Sequence, residues 1–239
     1  MGERSPSSHG VVQKSSILPA ATKLALDQLS NEFYPIEIDP LIPFPVKVAA
    51  MVQWWTRAHD LIISANLTKS HFTQMVMQVP VAFREGLHEF LVAVNTHSLP
   101  ILVFSAGLAD VIEIILKTSG FYSAHMSVVS NRMIFSESGD GECIGFSSPL
   151  IHTFNKSESA ISCPIHSRKI ENRPHIILLG DSIGDLQMTA NISHDVQIKI
   201  GFLNHDHELL IEEYENQFDV VITNDSSLKW VTELLSLLE

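Results

Sequence analysis

The second part of the sequence alternates short apolar runs with helical stretches, and this alternation restricts the possible fold more than any other feature. Apolar runs at 99–107, 195–203 and 219–223 are each followed by a segment with helical spacing, and 175–179 reads as a further buried strand. Strands that alternate with helices form parallel sheets with helices on both faces. We therefore predict an α/β core over residues 96–239.

The first part of the chain has a different pattern, in which almost all periodicity is helical. Apolar positions recur at helical spacing in three segments, namely 18–33, 46–65 and 69–98. Residues 1–17 are polar and Ser-rich, so we predict a loose lead-in there. The segment 34–45 contains four prolines, and this predicts a hinge rather than a regular helix.

Charge and composition narrow the possible partners and location. The net charge is −12, with 27 acidic and 15 basic residues, so we expect no nucleic acid polymer as a partner. No run of 18 apolar residues is present, so we expect no membrane span. The start of the chain lacks the apolar region of a secretory signal. The two cysteines form no Cys-x-x-Cys pair, which is typical of a reducing compartment and predicts a cytoplasmic protein.

A polar stretch ends the first predicted strand of the core. Ser105, Ala106 and Gly107 follow the apolar run and precede a helix. The Ser105 hydroxyl and the backbone N–H groups of the next two residues could bind an anion at the helix N-terminus. Alternatively, Ser105 simply caps the helix.

Two aspartates follow the next strand, in "HIILLGDSIGD". Asp181 and Asp185 provide hard oxygen ligands, and Mg²⁺ binds one or two carboxylates together with waters and phosphate oxygens. The alternative is an acidic turn in which Asp185 is a helix N-cap. Lys156 precedes this strand in a polar loop, where it could offset a phosphate charge or remain solvated.

The ordered motifs "YPIEIDP", "MVQWWTRAH", "REGLHEFL", "VFSAGLADVIE", "LIHTFNKS" and "ILLGDSIGDLQM" resemble the cytosolic 5′-nucleotidase III family, also called pyrimidine 5′-nucleotidases, of the haloacid dehalogenase superfamily. The resemblance extends over about residues 9–239. It implies a Rossmann-like parallel sheet with an inserted helical cap at 18–95. It also implies a Mg²⁺-dependent, monomeric phosphatase that hydrolyses nucleoside 5′-monophosphates.

The resemblance also implies roles for individual residues. Phosphate binding is expected at Ser105, Ala106, Gly107 and Lys156. Lys156 and Asp185 are expected to be catalytic, and Asp181 and Asp185 to bind Mg²⁺. Trp54 and Trp55 are expected to bind the nucleoside, although both could instead fill a helix interface. Adjacent helical positions point about 100° apart, so only one indole is expected to face the site. Pyrimidine and 7-methylguanosine monophosphates remain alternative substrates.

One part of the family pattern has no counterpart in this sequence. The first motif, Asp-x-Asp-x-Thr after a hydrophobic strand, supplies the attacking aspartate, and no two aspartates here are separated by a single residue. Glu37 and Asp39 lie in the family's hinge and do not replace it. We therefore expect the chain as given to be inactive and to lack the central strand between those ending at Ser105 and Gly180.

The missing motif has three possible origins: a truncated gene model or splice form, which we favour, a fragment, or a genuine short product. A short product would be a catalytically inactive module that binds nucleotides or proteins. A phosphatase for another small phosphate monoester is a further alternative.

Overall fold

The structure is a computed structural model of the chain that describes residues 5–156, 173–190 and 192–237. In chain order its helices and strands are α1 (Ser8–Lys14), α2 (Ala20–Ile38), α3 (Phe44–Ser64), α4 (Lys69–Gln78), α5 (Leu87–Thr96), β1 (Ile101–Leu108), α6 (Ala109–Thr118), β2 (Met126–Asn131), β3 (Met133–Phe135), β4 (Cys143–Phe146), β5 (His175–Gly180), a 3₁₀ helix (Ile183–Thr189), β6 (Val196–Leu203), α7 (His207–Gln217), β7 (Val220–Thr223) and α8 (Lys229–Leu235).

The chain divides into two compact units, each made of several segments. The first unit comprises Met1–Ala82, Ser105–Tyr122 and Ser130–Phe154, and the second comprises Phe83–Phe104, Ser123–Val129 and Asn155–Glu239. These units follow contacts rather than chain order. The division into a cap at 18–95 and a core at 96–239 therefore stays a prediction.

The first unit is built around the helix pair α2 and α3. Leu29 and Phe33 of α2 form a buried cluster with Met51 and Ala58 of α3. The prediction that 34–45 contains no regular helix is wrong at both ends, because α2 continues through Pro35 to Ile38 and α3 begins at Phe44. Pro35 lies in the last turn of α2, and the packing of α2 on α3 outweighs the cost of about 3 kcal/mol for proline within a helix.

Residues 8–14 form helix α1, so the predicted loose lead-in at 1–17 is wrong for this stretch. The Ser7 side chain caps the helix by accepting a hydrogen bond from the N–H of Gly10 at 3.1 Å. Ser8, Val11 and Val12 are buried. A helix of seven residues is unstable alone in water, so packing and not local propensity stabilises it.

The second unit contains the parallel sheet β5–β6–β7, as the apolar runs predicted. Alternate residues of β5 and β6 face opposite sides: Leu178 and Leu203 pack with α7, whereas Ile200 and Phe202 pack with α8. Both faces of the sheet are therefore covered by helices, which explains why most residues of these strands are apolar.

The other described strands form separate small sheets, one of β1 and β2 and one antiparallel hairpin of β3 and β4. Within the described residues β1 and β5 thus belong to different sheets. The absence of a central strand between them stays a prediction. No helix in the described ranges has the length and hydropathy needed to cross a membrane.

Candidate active site

The carboxyl end of β5 approaches the turn that follows it very closely. Gly180 pairs with Gly201 of β6 at the end of the sheet. A Cβ atom at position 180 would lie 2.6 Å from the Cβ of Asp185, a separation that real side chains do not tolerate. Glycine at position 180 therefore allows Asp185 to fold back against the strand end.

Asp185 holds the turn closed with both carboxylate oxygens. Its side chain is buried, Oδ2 accepts hydrogen bonds from the N–H groups of Asp181 at 3.0 Å and Ser182 at 3.1 Å, and Oδ1 forms an ion pair with Lys156. Because its hydrogen bonds are formed within the turn, Asp185 is not the N-cap of the alternative interpretation; Ser182 occupies that position. Lys156 is thus paired with Asp185 rather than solvated.

Asp181 presents an exposed side chain just past β5. Its backbone N–H donates to Asp185, and its carbonyl oxygen accepts a hydrogen bond from the Tyr214 hydroxyl at 2.6 Å. The pKa of Tyr214 is raised to about 12, mainly by burial and to a smaller extent by the charges of Asp181 and Asp185. Tyr214 therefore stays protonated at neutral pH and remains a donor.

The donor set at this turn fits Mg²⁺ through Asp181. Within residues 5–156, 173–190 and 192–237, no three His, Cys, Asp or Glu side chains are grouped as metal ligands. Mg²⁺ does not require such a group, because one carboxylate with waters and substrate oxygens suffices. Asp181 can supply that carboxylate, whereas the oxygens of Asp185 are engaged by Lys156 and two N–H groups. The assignment of Asp185 as a metal ligand stays a prediction.

Ser105, Ala106 and Gly107 lie in the last part of strand β1, in the first unit. Helix α6 begins after Leu108, which makes no side-chain capping bond, so Ser105 is not its cap. Instead, the Ser105 hydroxyl oxygen accepts a hydrogen bond from the N–H of Gly107 at 3.0 Å. The predicted anion-binding N–H of Gly107 is therefore directed to Ser105 in this structure.

Three side chains that the sequence analysis did not single out hold this segment. Ser8 accepts the N–H of Leu108 at 2.9 Å, and Ser130 donates to the carbonyl of Gly107 at 2.7 Å. Asn131 donates to the carbonyl of Ala106 at 2.8 Å. No sequence pattern identifies such residues, because every residue type offers the backbone groups that they bind.

Asn131 also links β2 to the chain that leads toward Lys156. Its amide donates to the carbonyl of Ile151 and accepts the N–H of Ile151, both at 2.9 Å. Asn131 is 1% exposed. A single buried amide therefore ties the backbone of Ala106 to that of Ile151.

The two tryptophans belong to the first unit and stack on each other. The ring centroids of Trp54 and Trp55 are 5.3 Å apart and the rings are almost parallel. Trp54 also stacks on Phe33, and Trp55 contacts His9 at 4.5 Å. Both indoles pack against the α2–α3 cluster, as in the alternative of a filled helix interface.

Histidines continue this aromatic group. His59 stacks on Phe146 at 3.8 Å and lies 6.2 Å from His9. In the part of the chain that the structure describes, Nε2 of His9, Nε2 of His59 and Nε1 of Trp55 are buried without a hydrogen-bond partner. Burial lowers the pKa of His59 to about 4, and burial together with His59 lowers the pKa of His9 to about 3.

We expect this pair to destabilise the protein on acidification. An unfolded histidine binds a proton near pH 6.5, whereas the folded His59 does so only near 4. The free energy of unfolding should therefore fall by up to about 1.4 kcal/mol per pH unit per histidine as the pH drops below about 6.5. Urea unfolding at pH 7.5, 6.5 and 5.5 measures this slope.

His59→Gln should give a shallower slope than the wild type. Equal slopes in the wild type and His59→Gln would contradict the expectation.

Comparison with known proteins identifies the family to which this chain is similar. The family described as "Pyrimidine 5′-nucleotidase (UMPH-1)" matches residues 1–239. A 7-methylguanosine phosphate-specific 5′-nucleotidase of Gallus gallus is 38% identical over 98% of this chain and 81% of its own length. That of Drosophila melanogaster is 36% identical over 98% of this chain and 73% of its own length.

Solved structures agree. The crystal structure of cytosolic 5′-nucleotidase IIIB bound to cytidine superposes with a TM-score of 0.89 at 34% identity, over 99% of this chain and 79% of that chain. A phosphoserine phosphohydrolase-like protein of Francisella tularensis has a TM-score of 0.54 at 16% identity, over 96% of this chain and 92% of that chain, and shares the fold alone. The predicted haloacid dehalogenase-like fold and family are thus confirmed, and the chain belongs to the pyrimidine 5′-nucleotidase family of hydrolases.

Proposed function

We propose that this protein, when it carries the family's first motif, hydrolyses nucleoside 5′-monophosphates to nucleoside and phosphate in a Mg²⁺-dependent reaction that proceeds through an aspartyl-phosphate. One observation carries the proposal: Asp181 presents an exposed carboxylate at the carboxyl end of β5, on a backbone that Asp185 and Tyr214 hold. This is the edge of a parallel sheet at which ligands bind.

The residues of the chain have distinct roles in this proposal. Asp181 would hold Mg²⁺, which when bound offsets the charge of the phosphate oxygens. Lys156 adds a positive charge, and Asp185 orients Lys156 and closes the turn. Ser105, Ala106 and Gly107 would bind the phosphate, as the family resemblance implies, and the Gly107 N–H would have to leave the Ser105 hydroxyl oxygen to do so.

The attacking aspartate is not among these 239 residues. In the proposed reaction an aspartate of the family's first motif attacks phosphorus, the nucleoside leaves with its oxygen, and water then cleaves the aspartyl-phosphate. A chain of these 239 residues alone should therefore not turn over. On its own it would be a module that binds nucleotides or a protein partner.

For the nucleoside, we propose 7-methylguanosine or a pyrimidine. The names of the relatives support the first base, and the cytidine-bound structure supports the second. Trp54 and Trp55 stay the proposed nucleoside-binding residues, because a cationic base such as 7-methylguanine would stack well on an indole. The base would have to displace one of the ring contacts that both indoles make in this structure. The name of the Caenorhabditis elegans relative supports a cytosolic location.

A phosphate-release assay with Mg²⁺ tests the proposal. It compares this chain with a version that carries the Asp-x-Asp-x-Thr motif ahead of residue 1, using CMP, UMP, 7-methyl-GMP and a sugar phosphate. We expect release from the nucleotides by the longer version only. Equal rates with the sugar phosphate would refute the nucleotidase assignment, and turnover by the 239-residue chain would refute the absence of its nucleophile.

A further inference from the structure

The backbone of Asp181 is held from both sides by buried side chains. On one side its N–H donates to Oδ2 of Asp185 at 3.0 Å, and on the other its carbonyl accepts from the Tyr214 hydroxyl at 2.6 Å. Asp185 and Tyr214 are each 3% exposed. The peptide groups that flank the Asp181 side chain are therefore fixed, while the side chain itself is exposed.

The core of the second unit fixes Tyr214 in turn. Its ring contacts the ring of Phe218 with centroids 5.2 Å apart, and both pack against Leu178 and Leu203 of the sheet. Phe218 lies directly over Gly201, where a Cβ atom would come within 2.6 Å of its ring. The hydroxyl of Tyr214 is thus placed by the sheet and by α7, independently of the turn that it binds.

We propose that Tyr214 is a positioning residue for Asp181, and that its hydroxyl raises the affinity of the protein for Mg²⁺ by holding the Asp181 carbonyl. The inference rests on the proposed function, in which Asp181 is the metal ligand. Residues that orient metal ligands typically change metal affinity by about 10- to 100-fold when they are replaced. Without the hydroxyl, the carbonyl of Asp181 loses its hydrogen bond to Tyr214.

The test is Tyr214→Phe, which removes only the hydroxyl and leaves the ring in the core. Mg²⁺ binding is measured by calorimetry on the active form of the protein, which is the version that carries the Asp-x-Asp-x-Thr motif ahead of residue 1. We expect the Mg²⁺ dissociation constant of the variant to be about tenfold higher than that of the unsubstituted protein. The Mg²⁺ concentration for half-maximal rate should rise in parallel, while kcat at saturating Mg²⁺ changes little. Tyr122→Phe, on a tyrosine of the first unit that is 38% exposed, is the matched control and should change neither.

If Tyr214 had a purely structural role, Tyr214→Phe would lower the free energy of unfolding in EDTA and leave the Mg²⁺ dissociation constant unchanged. That result would overturn the inference. Asp181→Asn, measured by the same calorimetry, separates a failure of the Tyr214 inference from a failure of the proposed metal site. If Asp181→Asn loses Mg²⁺ binding and Tyr214→Phe does not, only the inference fails. If neither variant changes Mg²⁺ binding, both the inference and the proposed metal site fail.

Discussion

Asp181→Asn should abolish Mg²⁺-dependent phosphate release in the active form of the protein, with a loss of at least about a hundredfold. Replacement of residues that merely orient a metal ligand already costs about 10- to 100-fold, and this change removes the carboxylate itself. Asparagine keeps the shape of the side chain and the backbone N–H that donates to Asp185. The fold should therefore remain intact, which circular dichroism and the unfolding transition would verify.

Asp195→Asn is the matched control for this variant. Asp195 is also exposed, but it precedes β6 and so lies at the amino end of a strand rather than at the carboxyl end. We expect wild-type rates from it. Normal Mg²⁺-dependent rates in Asp181→Asn would refute the metal assignment.

Lys156→Met should lower the free energy of unfolding by about 3 kcal/mol. The Lys156 and Asp185 side chains are 13% and 4% exposed, and removal of one partner from a buried ion pair typically costs about 3–5 kcal/mol. Two N–H donors remain on Asp185 and offset part of this loss. Urea unfolding monitored by fluorescence measures the change.

Two further variants make this result interpretable. Lys117→Met removes a lysine that is 54% exposed and paired with Glu113 one helical turn away, so it should cost less than about 1 kcal/mol. The double variant Lys156→Met/Asp185→Asn should be more stable than the sum of its single changes predicts. If Lys156→Met costs no more than Lys117→Met, the ion pair does not stabilise the turn.

Sequence patterns predicted the strands of the second unit because their cause is local and repetitive. β5 and β6 are nearly continuous in apolar residues, since both faces of the sheet are buried, and such runs are visible without a structure. The position of Asp181 followed directly, because it is the second residue past the last apolar residue of β5.

The contacts that hold the site were not predictable in the same way. Tyr214, Ser8 and Asn131 bind backbone groups of residues 33, 100 and 25 positions away, and any sequence supplies such groups. Helix α1 was missed because seven residues carry too little periodicity. The continuation of α2 through Pro35 was missed because long-range packing overrode a local rule.

Strand β1 belongs to both units: residues 101–104 lie in one and residues 105–108 in the other. The backbone also passes between the units after Ala82, Tyr122, Val129 and Phe154. No single cut separates them, and neither exists as one continuous stretch that could be expressed alone. Each must close long loops before its own contacts form, and this slows folding. No single truncation can therefore remove one unit and leave the other complete.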